Sequence, residues 1–177
     1  MEKARQLSES GSRVLLLCYN ARLAEELRRK ARDYNGITAV HFHSLAIRLI
    51  QQSGVELEWD TESPDFWEKT VPEKLVDAVA ELSERFDALI VDEGQDFAAS
   101  WWYPLQWLLA DEENGIFYVF IDDNQKLYDR PNEIPIAAEP FQLTLNCRNT
   151  EHISNFVSSY YQGDTRPKSS GPPGRNV

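Results

Sequence analysis

Two stretches of the chain are apolar at every position: Val14-Leu15-Leu16-Leu17-Cys18-Tyr19 and Ala88-Leu89-Ile90-Val91. A strand with one wet face alternates apolar and polar residues, so a run without alternation predicts a strand buried on both faces. Ile37 to Phe42 and Ile116 to Ile121 are further β-rich runs, and Leu143-Thr144-Leu145 is a short fifth. Helical stripes lie between them. Ala4 and Leu7 mark a helix that Gly11-Ser12 stops, and Asn20 is a suitable N-cap for a stripe of Leu23, Ala24, Leu27 and Ala31 running toward Asn35-Gly36. Ser44 can cap a helix carrying Leu45, Leu49 and Ile50, and Pro72 suits the first turn of one carrying Leu75, Val76, Val79 and Leu82. Trp101 to Leu109 reads as helical, and Thr150 caps a last helix through about Tyr161. Buried strands alternating with helices predict an α/β fold, a parallel sheet with helices on both faces.

In such a sheet, ligands gather at the carboxyl ends of the strands. The residues to weigh are therefore those just after Tyr19, Phe42, Val91, Ile121 and Leu145. Every one of these exits is polar. After Val91 comes Asp92-Glu93-Gly94-Gln95-Asp96, and after Ile121 comes Asp122-Asp123-Asn124-Gln125-Lys126-Leu127-Tyr128. Asn146-Cys147-Arg148-Asn149 follows Leu145, and His43-Ser44 follows Phe42. Two adjacent carboxylates on a strand end can divide the work of a nucleoside triphosphatase, one holding hydrated Mg²⁺ and the other orienting the attacking water. Arginine stabilises the charge that spreads in phosphoryl transfer. Aromatic rings at strand ends can stack on unpaired bases. An acidic pair after a strand also arises from simple capping, so Asp92 and Glu93 alone are weak evidence.

Charge and composition limit the partners. The chain has 177 residues and a net charge of −11, which argues against a protein that coats nucleic acid with its whole surface. Residues 1–50 hold nine Lys and Arg against five Asp and Glu, and the remainder nine against twenty-four. A basic first third could touch nucleic acid, or Arg28, Arg29, Lys30 and Arg32 could be the solvated end of a helix, where cations favour the dipole. No apolar run reaches the ~20 residues that span a bilayer, and Met1 to Arg5 lacks a secretory apolar core. Two cysteines, Cys18 and Cys147, make no disulfide framework. The expected location is cytoplasmic, with no membrane partner.

Taken in order, the strand exits resemble the motifs of UvrD/Rep-type superfamily 1 DNA helicases. Asp92-Glu93-Gly94-Gln95-Asp96 resembles the D-E-x-Q-D/N of motif II, and Val14 to Arg29 resembles motif Ia. His41-Phe42-His43-Ser44-Leu45 is similar to motif Ib, Asp122 to Tyr128 to motif III, and Leu145 to Thr150 to motif IV. Five motifs in family order span nearly the whole chain. The resemblance implies a RecA-like sheet of the P-loop NTPase kind, with ATP and Mg²⁺ as cofactors and single-stranded DNA as partner. It implies that Asp92 binds Mg²⁺, Glu93 activates water, Gln125 senses the γ-phosphate and Arg148 reaches it. Asp92, Gln125 and Arg148 then form the nucleotide site, while Tyr19, Asn20, His43 and Tyr128 lie along the DNA path. For His43 the plainer alternative is a polar residue capping its helix, and for Tyr19 and Tyr128 core packing. Gln95 and Asp96 support the site.

Departures from the family bear on activity. The phosphate-binding loop ending in Gly-Lys-Ser/Thr, whose backbone N–H groups and lysine hold the phosphates, occurs nowhere in the sequence. Glu2 to Glu9 reads as the remainder of the helix that follows that loop, so the chain is expected to begin just downstream of it, without the central strand before it. Ile121 stands where motif III has glycine, and Cys147 where motif IV has an aromatic. The expected organisation is a partial motor domain over 1–162, with 51–85 a short insertion in place of an arm domain, and 163–177 a linker toward a second motor domain. The expected function is a fragment of an ATP-dependent DNA helicase or translocase, inactive alone. One alternative is a non-catalytic helicase-like module that binds DNA or a partner protein. Another is an unrelated Mg²⁺-dependent phosphohydrolase built on Asp92, Glu93 and Asp122.

Overall fold

Each residue of β1 (Val14–Cys18) is buried, as its unbroken apolar run requires. In the computed structural model, which describes residues 1–122, 134–147, 149–160 and 167–174, β1 lies between β2 (Ile37–His41) and β3 (Ala88–Asp92). β4 (Ile116–Val119) completes the sheet beyond β3, giving the order β2-β1-β3-β4 with every neighbour parallel. The resemblance implies a further central strand; here the four strands bond to one another without a gap.

Side-chain parity divides the strands between two cores. Val14, Leu16, Cys18, Ala39, Ala88 and Ile90 pack with Ala4 of α1 (Glu2–Glu9), with Ala24 and Leu27 of α2 (Ala21–Lys30), and with Ala31. Leu15, Leu17, Val40, Leu89 and Val91 pack with α3 (Phe42–Ser53), α4 (Val71–Glu81) and α5 (Ala99–Gln106). The second layer is thicker and holds the large rings Phe42, Phe66, Phe97, Trp101 and Trp102. The structure is thus an α/β layer with a parallel sheet flanked by helices.

Several local expectations are corrected. α2 stops at Lys30 with Ala31 as C-cap, not near Gly36, because Tyr34 and Ile37 close successive turns into β2. β2 ends at His41, whose Nδ1 accepts the Ser44 N–H at 2.9 Å, so His41 rather than Ser44 caps α3. The stretch expected as an insertion, 51–85, supplies no strand to the sheet and packs into the core: Gln51 to Ser53 finish α3, and Phe66 begins a π-helical turn, Phe66–Thr70, leading into α4. Trp101 Nε1 donates to the Trp67 carbonyl at 3.0 Å, tying that turn to α5.

The chain divides into two compact units, Met1–Pro135 and Ile136–Val177. In the second, β5 (Leu145–Asn146) pairs in parallel with β6 (Lys168–Ser169), and Thr150 caps α6 (Glu151–Ser158). The fifth strand expected of the main sheet is therefore one of a separate pair. Leu143-Thr144-Leu145 alternates with a polar residue, unlike β1, and Leu145 is exposed. No helix among the described residues is long and apolar enough to cross a membrane.

Candidate active site at the carboxyl edge of the sheet

The strand register brings the polar exits level: Cys18 lies opposite His41 on one side and Asp92 on the other. Of the residues singled out by sequence, the sheet edge collects Tyr19, Asn20, His43, Asp92, Glu93 and Asp122. Gln125, Tyr128 and Arg148 lie outside the described residues.

The β3 exit is built by a local irregularity. Phe120 N–H donates to the Val91 carbonyl at 2.8 Å, but the Phe120 carbonyl accepts from Gly94 N–H, at 2.9 Å, and not from Glu93. A regular parallel ladder returns that bond one residue earlier, so the strand carries a bulge. Glu93 absorbs it with φ 55° and ψ 46°, and is the one non-glycine residue with positive φ among the described residues. A left-handed conformation costs an L-residue roughly 1–2 kcal/mol, and such strain is concentrated at functional positions.

Two neighbours hold this turn. Gly94 presses against β4, where an added Cβ would lie 2.4 Å from Val119 Cγ1. Gln95, only 2% exposed, donates from Nε2 to Glu93 Oε2 at 2.7 Å and accepts the Asp122 N–H on Oε1 at 3.1 Å. Asp92 accepts the Glu93 N–H at 3.2 Å. Both carboxylates are half-buried. Their charge reaches Cys18: burial first, then Asp92 and to a lesser extent Glu93, pushes the thiol up to about 12.

The expected DNA-path residues fall into two settings. Asn20 is exposed, and its side chain accepts the Arg22 and Leu23 N–H groups at 2.9 and 3.2 Å as the cap of α2. Tyr19 and His43 join a ring cluster. Tyr19 stacks on Trp101 at 5.8 Å, and His43 lies 4.4 Å from Trp67 and 5.0 Å from Trp101. Trp67 and Trp101 were not singled out in the sequence, although Phe97, Trp101 and Trp102 so soon after Asp92 are a signal that rings crowd this edge. Four of the nine basic residues of the first third form ion pairs: Arg5 with Glu2 and Glu9, Arg29 and Lys30 with Glu26, and Arg48 with Glu84.

No protein-family model matches the chain, and no curated protein matches it. Among the described residues, no group of three or more His, Cys, Asp and Glu side chains is arranged to hold a metal ion. What the edge offers is two half-buried carboxylates in succession, one of them fixed by a buried amide.

Proposed function

We propose that this chain is part of the ATP-hydrolysing core of a DNA-translocating motor of the UvrD/Rep type, with a RecA-like sheet. The observation that carries this reading is the β3 exit: Asp92 and Glu93 at the carboxyl edge of an inner parallel strand, with Glu93 in a left-handed turn and clamped by Gln95. Asp92 fits Mg²⁺, which in nucleotide sites takes one or two carboxylates together with phosphate oxygens and water and needs no all-protein cage. Bound ATP–Mg²⁺ would supply the phosphoryl group and the charge that polarises it. Glu93 would accept the proton of the attacking water, a role that needs a carboxylate held still. Gln125 and Arg148 would address the γ-phosphate, and Tyr19, Asn20, His43 and Tyr128 the single strand of DNA. The ring contacts of Tyr19 and His43 favour a supporting place at that path over an open stacking face.

The sequence contains no Gly-Lys-Ser/Thr loop, so these 177 residues alone should hydrolyse ATP at background rate. Turnover by the purified chain above a no-enzyme control contradicts this dependence on the loop. A longer version carrying such a loop ahead of Met1 should show ATPase activity stimulated by single-stranded DNA. In that protein Glu93→Gln should lower kcat by about 10²–10⁴-fold while changing nucleotide affinity little.

A further inference from the structure

We infer that Gln95 is a positioning residue that joins the Glu93 carboxylate to the backbone at the β4 exit, so that the two strand ends move as one. Glutamine is suited to this because its side chain carries a donor and an acceptor on the same planar group. The donor end meets Glu93 Oε2 at 2.7 Å, and the acceptor end meets Asp122 N–H at 3.1 Å. The amide is buried, so neither end can exchange its partner for bulk water without cost. The backbone on either side is constrained as well. Gly94 is bonded to the Phe120 carbonyl and pressed on Val119, and Glu93 sits in its left-handed turn. Glu93 therefore cannot relax by rotating its own backbone, and its carboxylate is located by an atom chain that ends on Asp122. A displacement at the β4 exit is carried to Glu93, and loss of the Glu93 carboxylate is felt at Asp122.

The role given to Glu93 rests on the proposed function, but the link itself does not. It is tested on the full chain without nucleotide, by residue-resolved amide hydrogen exchange. Gln95→Glu places a carboxylate against Glu93 and should speed exchange of the Asp122 amide roughly tenfold relative to Leu16 in β1. Adding Glu93→Gln supplies a donor to the new carboxylate with the two roles exchanged. Asp122 protection should then return to within about twofold of the unsubstituted chain. A residue that merely packs would show no such rescue. An Asp122 amide unmoved by Gln95→Glu, or moved and not restored by Glu93→Gln, overturns the link. Should Gln95→Glu unfold the chain, with Leu16 exchanging as fast as Asp122, Glu93→Ala decides: the Gln95 side-chain amide resonances must shift and Asp122 must exchange faster. Unshifted resonances reject the proposal. Failure here leaves the ATPase test standing, and failure of the ATPase test leaves the link standing.

Discussion

Gly94 and Cys18 show how closely single residues at the sheet edge are constrained. Gly94 needs no unusual backbone angle; what it needs is space, since a methyl group would meet the stiff side chain of Val119 at 2.4 Å. Gly94→Ala should therefore destabilise by about 1–3 kcal/mol, read from the midpoint of urea unfolding. No loss would mean that β4 yields freely. Cys18 is fully buried beside two carboxylates. Its folded pKa, about 12, lies above the unfolded value of about 8.5. The fold thus keeps a proton that the unfolded chain releases. Its contribution is whole below about pH 8.5 and drains away as pH climbs toward the folded value. Cys18→Ala should accordingly flatten the loss of stability above pH 9 relative to the unsubstituted chain. Equal slopes for both would remove the thiol from the account. The acidic pair after Val91 was legible in the sequence, because an apolar run that ends in charge marks a strand exit. The bulge at Glu93 was not, because nothing in Asp92-Glu93-Gly94 states which residue β4 will skip.

At the scale of elements, the four strands of the main sheet could be read from apolar runs, and their ends only to within a residue or two. The cap of α3 went to His41 and not to Ser44, a choice made by a ring nitrogen that sequence patterns do not weigh. The apolar residues from Gln51 to Pro72 are spaced irregularly, so the sequence pattern is weak there. A π-helical turn nonetheless carries Phe66 into the core. The same face of the sheet is braced at its rim by Arg48 of α3, which donates to Glu84 from its two terminal guanidinium nitrogens, at 2.9 and 3.0 Å. The hydrogen bonds from Arg48 hold the Glu84 carboxyl below its ordinary value of 4.5. Stability from this pair is present above that ordinary value and fades as pH falls through the depressed one. Glu84→Gln should cost up to about 1 kcal/mol at pH 7, the pair being partly exposed, and cost progressively less in acid. Thermal unfolding of the two proteins between pH 3 and pH 7 checks this, and a pH-independent difference would refute it.

For the molecule as a whole, the two units are unequal. Met1–Pro135 contains the main sheet and both cores. Among its described residues, Ile136–Val177 holds two-residue strands and one short helix, with Ile153, Phe156 and Tyr160 exposed. At roughly 40 residues such a piece is near the limit of independent folding. Residues 1–135 produced alone should unfold cooperatively, and 136–177 alone should give the circular dichroism of a coil; cooperative melting of the smaller piece contradicts this. The prolines at 131, 135 and 140 are a sign of this division that the sequence carries.

β1 takes one neighbour from residues 37–41 and the other from residues 88–92. During synthesis its second edge must stay vacant until some seventy further residues have been made, a delay set by chain order and not by affinity. Val14 to Cys18, wholly apolar and without a charge, is the kind of segment that pairs with other chains when left open. The arrangement that levels the acidic exits also obliges the nascent protein to shield its most adhesive strand until β3 arrives.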